Sequence, residues 1–348
     1  MSVRDSLTTF LSNEPGGGLD APVARAVLKI SQAARGLSDL VSLGLLAQTG
    51  LPAIPGINGG GDAQAELDII ANDMMLDALS EAPVAMVASE ELDDVALLDT
   101  GAPLAVAMDP LDGSSNIGVN MSIGTIFGIR PALYPMGSRA AAVFEAPGRA
   151  QQAAGIIVYG PQTSLVLSLG RGTHIFILDR NRGEFVLAKR DIQVPRSAKE
   201  YAINASNYRH WDPPVRAYVD DCVLGADGPR GGDFNMRWIA SLVAEAYRIF
   251  MRGGIFLYPG DSRPGYRQGR LRLLYEAAPL AFLLEQAGGA ATDGQTPILD
   301  LVPSSIHQRT PLVFGSVEKV ERVAKYHTDP HYSAERSPLF GKRGLLRA

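Results

Sequence analysis

Asp109-Pro110-Leu111-Asp112-Gly113-Ser114-Ser115-Asn116 sets two carboxylates three residues apart around a proline and ahead of a glycine. Pro110 fixes one backbone angle and Gly113 permits a tight turn, so both carboxylates can converge on one point. Converging carboxylates repel and need a cation to stay ionised at neutral pH. All-oxygen ligands select hard ions such as Mg²⁺ or Mn²⁺. The chain has only 5 histidines, with no HxxxH-like pair, so zinc has little support. Gly113, Ser114, Ser115 and Asn116 are small residues whose backbone N–H groups can form an anion nest beside the cations. Carboxylates for cations and amides for a phosphate, in one turn, point to phosphate-ester chemistry. In isolation the same D-P-x-D-G pattern is also an ordinary turn.

The neighbouring sequence adds weight. The apolar run Leu104 to Met108 leads into Asp109, and Val84 to Ala88 leads into Ser89-Glu90-Glu91. Acidic groups just past the ends of two buried strands are a recurrent active-site placement in α/β folds. Further strands are expected over Ile123 to Ile129 and Ala154 to Tyr159, with antiparallel strands from Ser164 to Ala188 turning at Asp179 to Gly183. Helical spacing predicts helices over Ala21 to Leu46, Leu67 to Leu79, Trp238 to Phe250 and Leu271 to Ala287, with a strand at Gly254 to Tyr258. Thr49 to Gly61 is rich in Gly and Pro and reads either as a mobile loop or as a passive linker. Asp62 and Asp68 follow it. Asp68, on a helix, and the Glu90-Glu91 pair are each also compatible with a solvated surface. Together the acidic groups allow a two-metal hydrolase. A boundary falls near Pro195 to Ala198, no repeat is evident, and the basic stretch Tyr332 to Ala348 reads as a loose tail.

Composition limits the partners. The chain has 348 residues, 46% hydrophobic and 20% charged, with formal net charge −5, which gives no broad basic surface and makes nucleic acid an unsuitable partner. No run of about 18 apolar residues is present to span a membrane. Met1 to Asp5 lacks the apolar core of a signal peptide. The single cysteine, Cys222, excludes an intramolecular disulfide, and a reducing cytoplasm is the expected setting.

Longer blocks carry a resemblance. Asp109 to Asn116, Ser122 to Gly128, Gly253 to Pro259, Gly269 to Glu276, Glu285 to Gly289 and Ile306 to Arg309 occur in one order. Together they resemble class I fructose-1,6-bisphosphatase over roughly Leu7 to Val323. Inositol monophosphatase relatives share the short acidic signature but not the later blocks. The resemblance implies an α/β fold, a layered α-β-α-β-α sandwich. It implies an N-terminal metal-binding domain (1–195), a C-terminal domain for the sugar bisphosphate (196–330) and a tail (331–348). It also implies a homotetramer that hydrolyses the 1-phosphate of fructose 1,6-bisphosphate, in gluconeogenesis or the Calvin cycle.

By the same resemblance, Glu90, Asp109, Asp112, Glu276 and the carbonyl of Leu111 hold Mg²⁺ or Mn²⁺, two to three ions per subunit. Asp62 is a loop carboxylate that completes a third metal position. Asp68 and Glu91 position and deprotonate the attacking water. Asp112, Gly113, Ser114 and Ser115 receive the 1-phosphate and sugar. Asn204, Tyr258 and Arg270 bind the distal phosphate, joined by Arg237 from a neighbouring subunit.

Several positions depart from the family pattern. Trp238 and Asn207 replace tyrosines of the distal pocket, and Arg270 replaces a common lysine. A pocket rebuilt in this way raises sedoheptulose 1,7-bisphosphate as an alternative sugar. A catalytically silent scaffold fits poorly, because no expected ligand is missing. Pro103-Leu104 and Pro131 occupy positions where AMP-sensitive animal members carry Lys-Tyr and Arg, so AMP inhibition through that site is not expected. With Cys222 alone, thioredoxin-type activation is not expected either.

Overall fold

The computed structural model describes residues 4–14, 18–46, 56–57, 63–64, 66–133 and 139–329. Asp62, the tail and most of the Gly/Pro-rich stretch after Thr49 lie outside these. In that stretch β1 (Gly56–Ile57) pairs antiparallel with β2 (Ala63–Gln64), which follows it.

The central layer is an eight-stranded sheet. Its strands are β3 (Val84–Ser89), β4 (Ala96–Leu97), β5 (Leu104–Asp112), β6 (Ile123–Pro131), β7 (Ala153–Tyr159), β8 (Thr163–Ser168), β9 (His174–Asp179) and β10 (Glu184–Lys189). They run in the order β10-β9-β8-β7-β6-β5-β3-β4. Only the β3–β5 pair is parallel, and it brings Ser89 level with Met108. Side chains alternate across the sheet with the period of two that pleating imposes. Ala153, Ile157 and Tyr159 of β7 enter the core on one face, and Ala154, Ile156 and Val158 enter the core on the other.

The first face is covered by α1 (Leu7–Asn13), α2 (Pro22–Leu43) and α3 (Glu66–Ser80). Val27, Ile30, Ala34 and Leu37 of α2 form one apolar stripe at three- and four-residue steps, buried in that core. The second face meets α5 (Leu242–Arg252) and α6 (Ala278–Gln286), which also touch a second sheet. That sheet holds β11 (Glu200–Ala202), β12 (Asn235–Met236), β13 (Ile255–Tyr258), β15 (Ala290–Thr292) and β17 (Leu312–Gly315), in the order β12-β11-β13-β17-β15. Its far face packs on α4 (Pro213–Leu224) and α7 (Val317–Thr328) around Tyr218, Val320 and Val323. The result is the five-layer α-β-α-β-α sandwich. The two sheets divide the chain between residues 189 and 200, yet α6 packs against both.

Three sequence expectations need correction. The helix expected from Trp238 starts at Leu242. Ser241 caps it by accepting the Ala244 N–H, and Ala240 sits at φ 61°, a left-handed angle that a helix cannot include. The helix expected from Leu271 is three pieces: β14 (Leu271–Arg272) paired with β16 (Arg309–Thr310), a π-turn over Leu273–Ala277, and only then α6. Pairing with β16 consumes the first residues in a ladder, which helical spacing does not register. Finally, Asp109 and Asp112 lie within β5, not after its end. Both pair with β6, at Ile126 and Gly124, and the ladder shifts register between them.

Candidate active site

Three buried carboxylates converge where β5 meets the π-turn before α6. One oxygen each from Asp109, Asp112 and Glu276 lies within 4.8 Å of the others. The bulge in β5 lets Asp109 and Asp112 face the same point, since a regular strand would send residues three apart to opposite faces. Thr125 of β6 backs the bulge, donating its hydroxyl to the Pro110 carbonyl at 2.8 Å, with the Tyr159 hydroxyl also 2.8 Å from it. The Asp109 carboxylate accepts the Leu111 N–H at 3.0 Å, closing the turn locally. The π-turn brings in Glu276, which accepts the backbone N–H of Arg272. Single π-turns of this kind recur at functional sites.

The electrostatics ask for a cation. Burial, then the charges of Glu90, Asp112, Glu276 and Glu91, push the Asp109 carboxyl well above its ordinary range. Burial pushes Asp112 up to about 6 even though the Val243 N–H opposes it. Glu276 is raised by burial, then by Glu90 and Asp112. Arg272, 1% exposed, stands 3.4 Å from Glu90 through its Nε. One guanidinium does not balance these carboxylates, so the donor set fits a hard, oxygen-liganded cation.

The residues expected to handle water lie on two elements. Asp68 is buried in the first turn of α3, and Glu90 and Glu91 follow β3 half-buried. Ser89 ties the two elements together, donating to Asn72 Oδ1 at 2.7 Å and accepting the Glu91 N–H at 3.3 Å. Leu111 is buried in β5, and its carbonyl accepts the Ser114 hydroxyl at 3.4 Å. Gly113 sits at φ 88°, a conformation costly for other residues, and starts the turn Ser114–Val119, where Ser115 is exposed.

A second pocket, of about 140 Å³, lies at the end of β13 and includes Asn204, Asn207, Tyr258, Asp261, Arg263, Tyr266 and Arg270 in its lining. Three of the expected distal-phosphate residues therefore share one cavity. Arg237 is not among those lining residues and stands 3.7 Å from Glu200 beside β12. Trp238 stacks on Phe256 and Tyr258 at 5.8 and 6.2 Å.

Sequence reasoning missed the groups that join these parts. Val243 N–H, at the start of α5, donates to Asp112 at 3.1 Å, and Asn116 Nδ2 donates to the Ala240 carbonyl at 2.8 Å. Arg272 was legible in principle: a lone arginine between leucines in an apolar block is a buried charge in need of a partner. Arg263 and Tyr266 had no such signal.

A five-layer sandwich with a carboxylate triad where β5 meets the π-turn, and an arginine-lined pocket at the end of β13, fits a phosphoric monoester hydrolase. Residues 26–190 match the family described as "Fructose-1-6-bisphosphatase, N-terminal domain", and residues 194–328 match its C-terminal domain. The "Fructose-1,6-bisphosphatase class 1" of Methylorubrum populi is 57% identical over 339 residues, covering 95% of this chain and 97% of the relative. That of Sinorhizobium medicae is 56% identical over 333 residues, covering 96% and 95%. The crystal structure of Leishmania major fructose-1,6-bisphosphatase in holo form superposes with TM-score 0.86 at 33% identity, covering 93% of this chain and 99% of that one. The chain belongs to the class 1 fructose-1,6-bisphosphatase family. These relatives are named for the fructose substrate, which does not favour the seven-carbon alternative.

Proposed function

We propose that this protein hydrolyses the 1-phosphate of fructose 1,6-bisphosphate, releasing fructose 6-phosphate and inorganic phosphate. The observation that carries the reading is the buried triad of Asp109, Asp112 and Glu276. Glu90, Asp109, Asp112, Glu276 and the Leu111 carbonyl would hold two to three Mg²⁺ or Mn²⁺ ions, with Asp62 completing a third position. Bound divalent cations supply charge to the phosphoryl oxygens and acidify water.

The chain's own residues do the rest. Asp112, Gly113, Ser114 and Ser115, the last of them exposed, receive the 1-phosphate and sugar. Asp68 and Glu91, held together through Ser89 and Asn72, orient the attacking water and take its proton. Asn204, Tyr258 and Arg270 bind the distal phosphate, with Arg237 contributed across a subunit boundary. Largely dissociative phosphoryl transfer needs placement and charge more than covalent help, which this arrangement provides. In this reading the chain divides into a metal domain (1–195) and a sugar domain (196–330), with Glu276 of the second reaching the carboxylates of the first.

A homotetramer acting in the cytoplasm, in gluconeogenesis or the Calvin cycle, fits this reading. The family resemblance supports the tetramer and the pathway. The setting is supported by the lone cysteine, since a chain with no disulfide of its own suits a reducing compartment. Phosphate release from fructose 1,6-bisphosphate, with and without Mg²⁺, tests the activity. Glu276→Gln is expected to abolish it, and full activity in that variant would overturn the assignment.

A further inference from the structure

The pocket at the end of β13 has one wall that the family pattern leaves unexplained. Asp261, only 6% exposed, accepts from Arg263 Nε at 3.0 and 3.1 Å, from its Nη2, and from its backbone N–H at 3.0 Å. This latch fixes the plane of the guanidinium, and Nη1 takes no part in it. Arg263 lies over the Tyr266 ring at 4.1 Å and Arg270 over the same ring at 4.8 Å. Arg270 also donates from Nη1 to the Tyr266 hydroxyl at 2.8 Å. One tyrosine thus gathers two guanidiniums, and a single carboxylate balances only one of them. Tyr258 lies in the same lining.

We propose that Arg263 and Arg270, braced on Tyr266, form a two-arginine clamp for the distal phosphate, with Asp261 as the positioning residue for Arg263. The proposal rests on the function proposed above and deepens it at the same site. A dianion is the ligand that such a pair fits, because planar guanidiniums match phosphate oxygens and hold them by charge-assisted bonds. The clamp also accounts for the altered pocket. Asn207 and Trp238 stand where the family pattern has tyrosines, and Tyr266 restores a phenol to the lining. The competing explanation is that Asp261 and Arg263 only stabilise their own loop.

The test compares Arg263→Ala, Arg263→Lys and Asp261→Asn with the parent enzyme on two substrates. These are fructose 1,6-bisphosphate and fructose 1-phosphate, which lacks the distal group. Titration calorimetry with fructose 6-phosphate gives a readout independent of turnover. Arg263→Ala should raise KM for the bisphosphate about tenfold or more, the scale of one charged hydrogen bond. Its kcat should stay within about twofold, and its constants on fructose 1-phosphate should not change. Fructose 6-phosphate binding should weaken by a similar factor. Arg263→Lys should recover part of the loss, and Asp261→Asn should show a smaller effect in the same direction. Equal losses on both sugars, or unchanged KM and affinity, would overturn the clamp. If the parent releases no phosphate from the bisphosphate while Arg263→Ala still weakens fructose 6-phosphate binding, the proposed function falls and the clamp stands.

Discussion

Asp112→Asn should make the metal-free protein more stable while destroying its activity. The Asp112 carboxyl sits at about 6 in the fold against an ordinary value of 3.8, chiefly through burial. A carboxyl raised in this way favours the folded state fully below the unfolded value, and the benefit is lost as pH rises through the folded value. Between about pH 4 and pH 7 the metal-free protein therefore loses roughly 3 kcal/mol through this group. Asparagine carries no such penalty, and its oxygen can still accept the Val243 N–H. Unfolding entropy near 2.1 cal/mol/K per residue converts 3 kcal/mol to a rise on the order of 4 °C for a chain of this length. The assay is thermal unfolding in EDTA at pH 7.5 and at pH 4, followed by Mg²⁺ titration. The variant should melt higher than the parent at pH 7.5, equal it at pH 4, and gain little from Mg²⁺, whereas the parent gains much. A variant that melts lower than the parent in EDTA at pH 7.5 would refute the reasoning, because the buried charge would then be a source of stability.

Other perturbations probe the scaffold. Thr125→Val removes the hydroxyl behind the β5 bulge and should cost about 1–3 kcal/mol in denaturant unfolding and lower kcat, since the Pro110 carbonyl is left without that donor. Gly124→Ala puts a methyl 2.2 Å from the Ile157 carbonyl and against Val243, so soluble yield and melting temperature should both fall by more than for Gly118→Ala, where the added carbon meets nothing within 4 Å. Asn116→Ala cuts the link to Ala240 and should lower kcat/KM several-fold, measured by phosphate release. AMP should not inhibit through the surface around Pro103, Leu104 and Pro131, where Glu14 is the only charged residue among the described residues lining the cavity. A micromolar inhibition constant abolished by substitutions there would contradict this.

The sequence by itself determined the alternation of strands, the stripe of α2 and the acidic turn, because these depend on spacing along one chain. Val84 to Ala88 and Leu104 to Met108 announce buried strands by composition alone. The family blocks further named Glu276 as a partner of Asp109, although more than 160 residues separate them. Only the tertiary structure decided how the three carboxylates meet. It required a bulge between Asp109 and Asp112, visible only once β6 supplies the register, and a π-turn that replaces the start of an expected helix. It also decided that the N-terminus of α5 grips Asp112 and that Asp261 latches Arg263. Those contacts depend on which surfaces pack together, and pairing across layers leaves no periodic trace in a single chain.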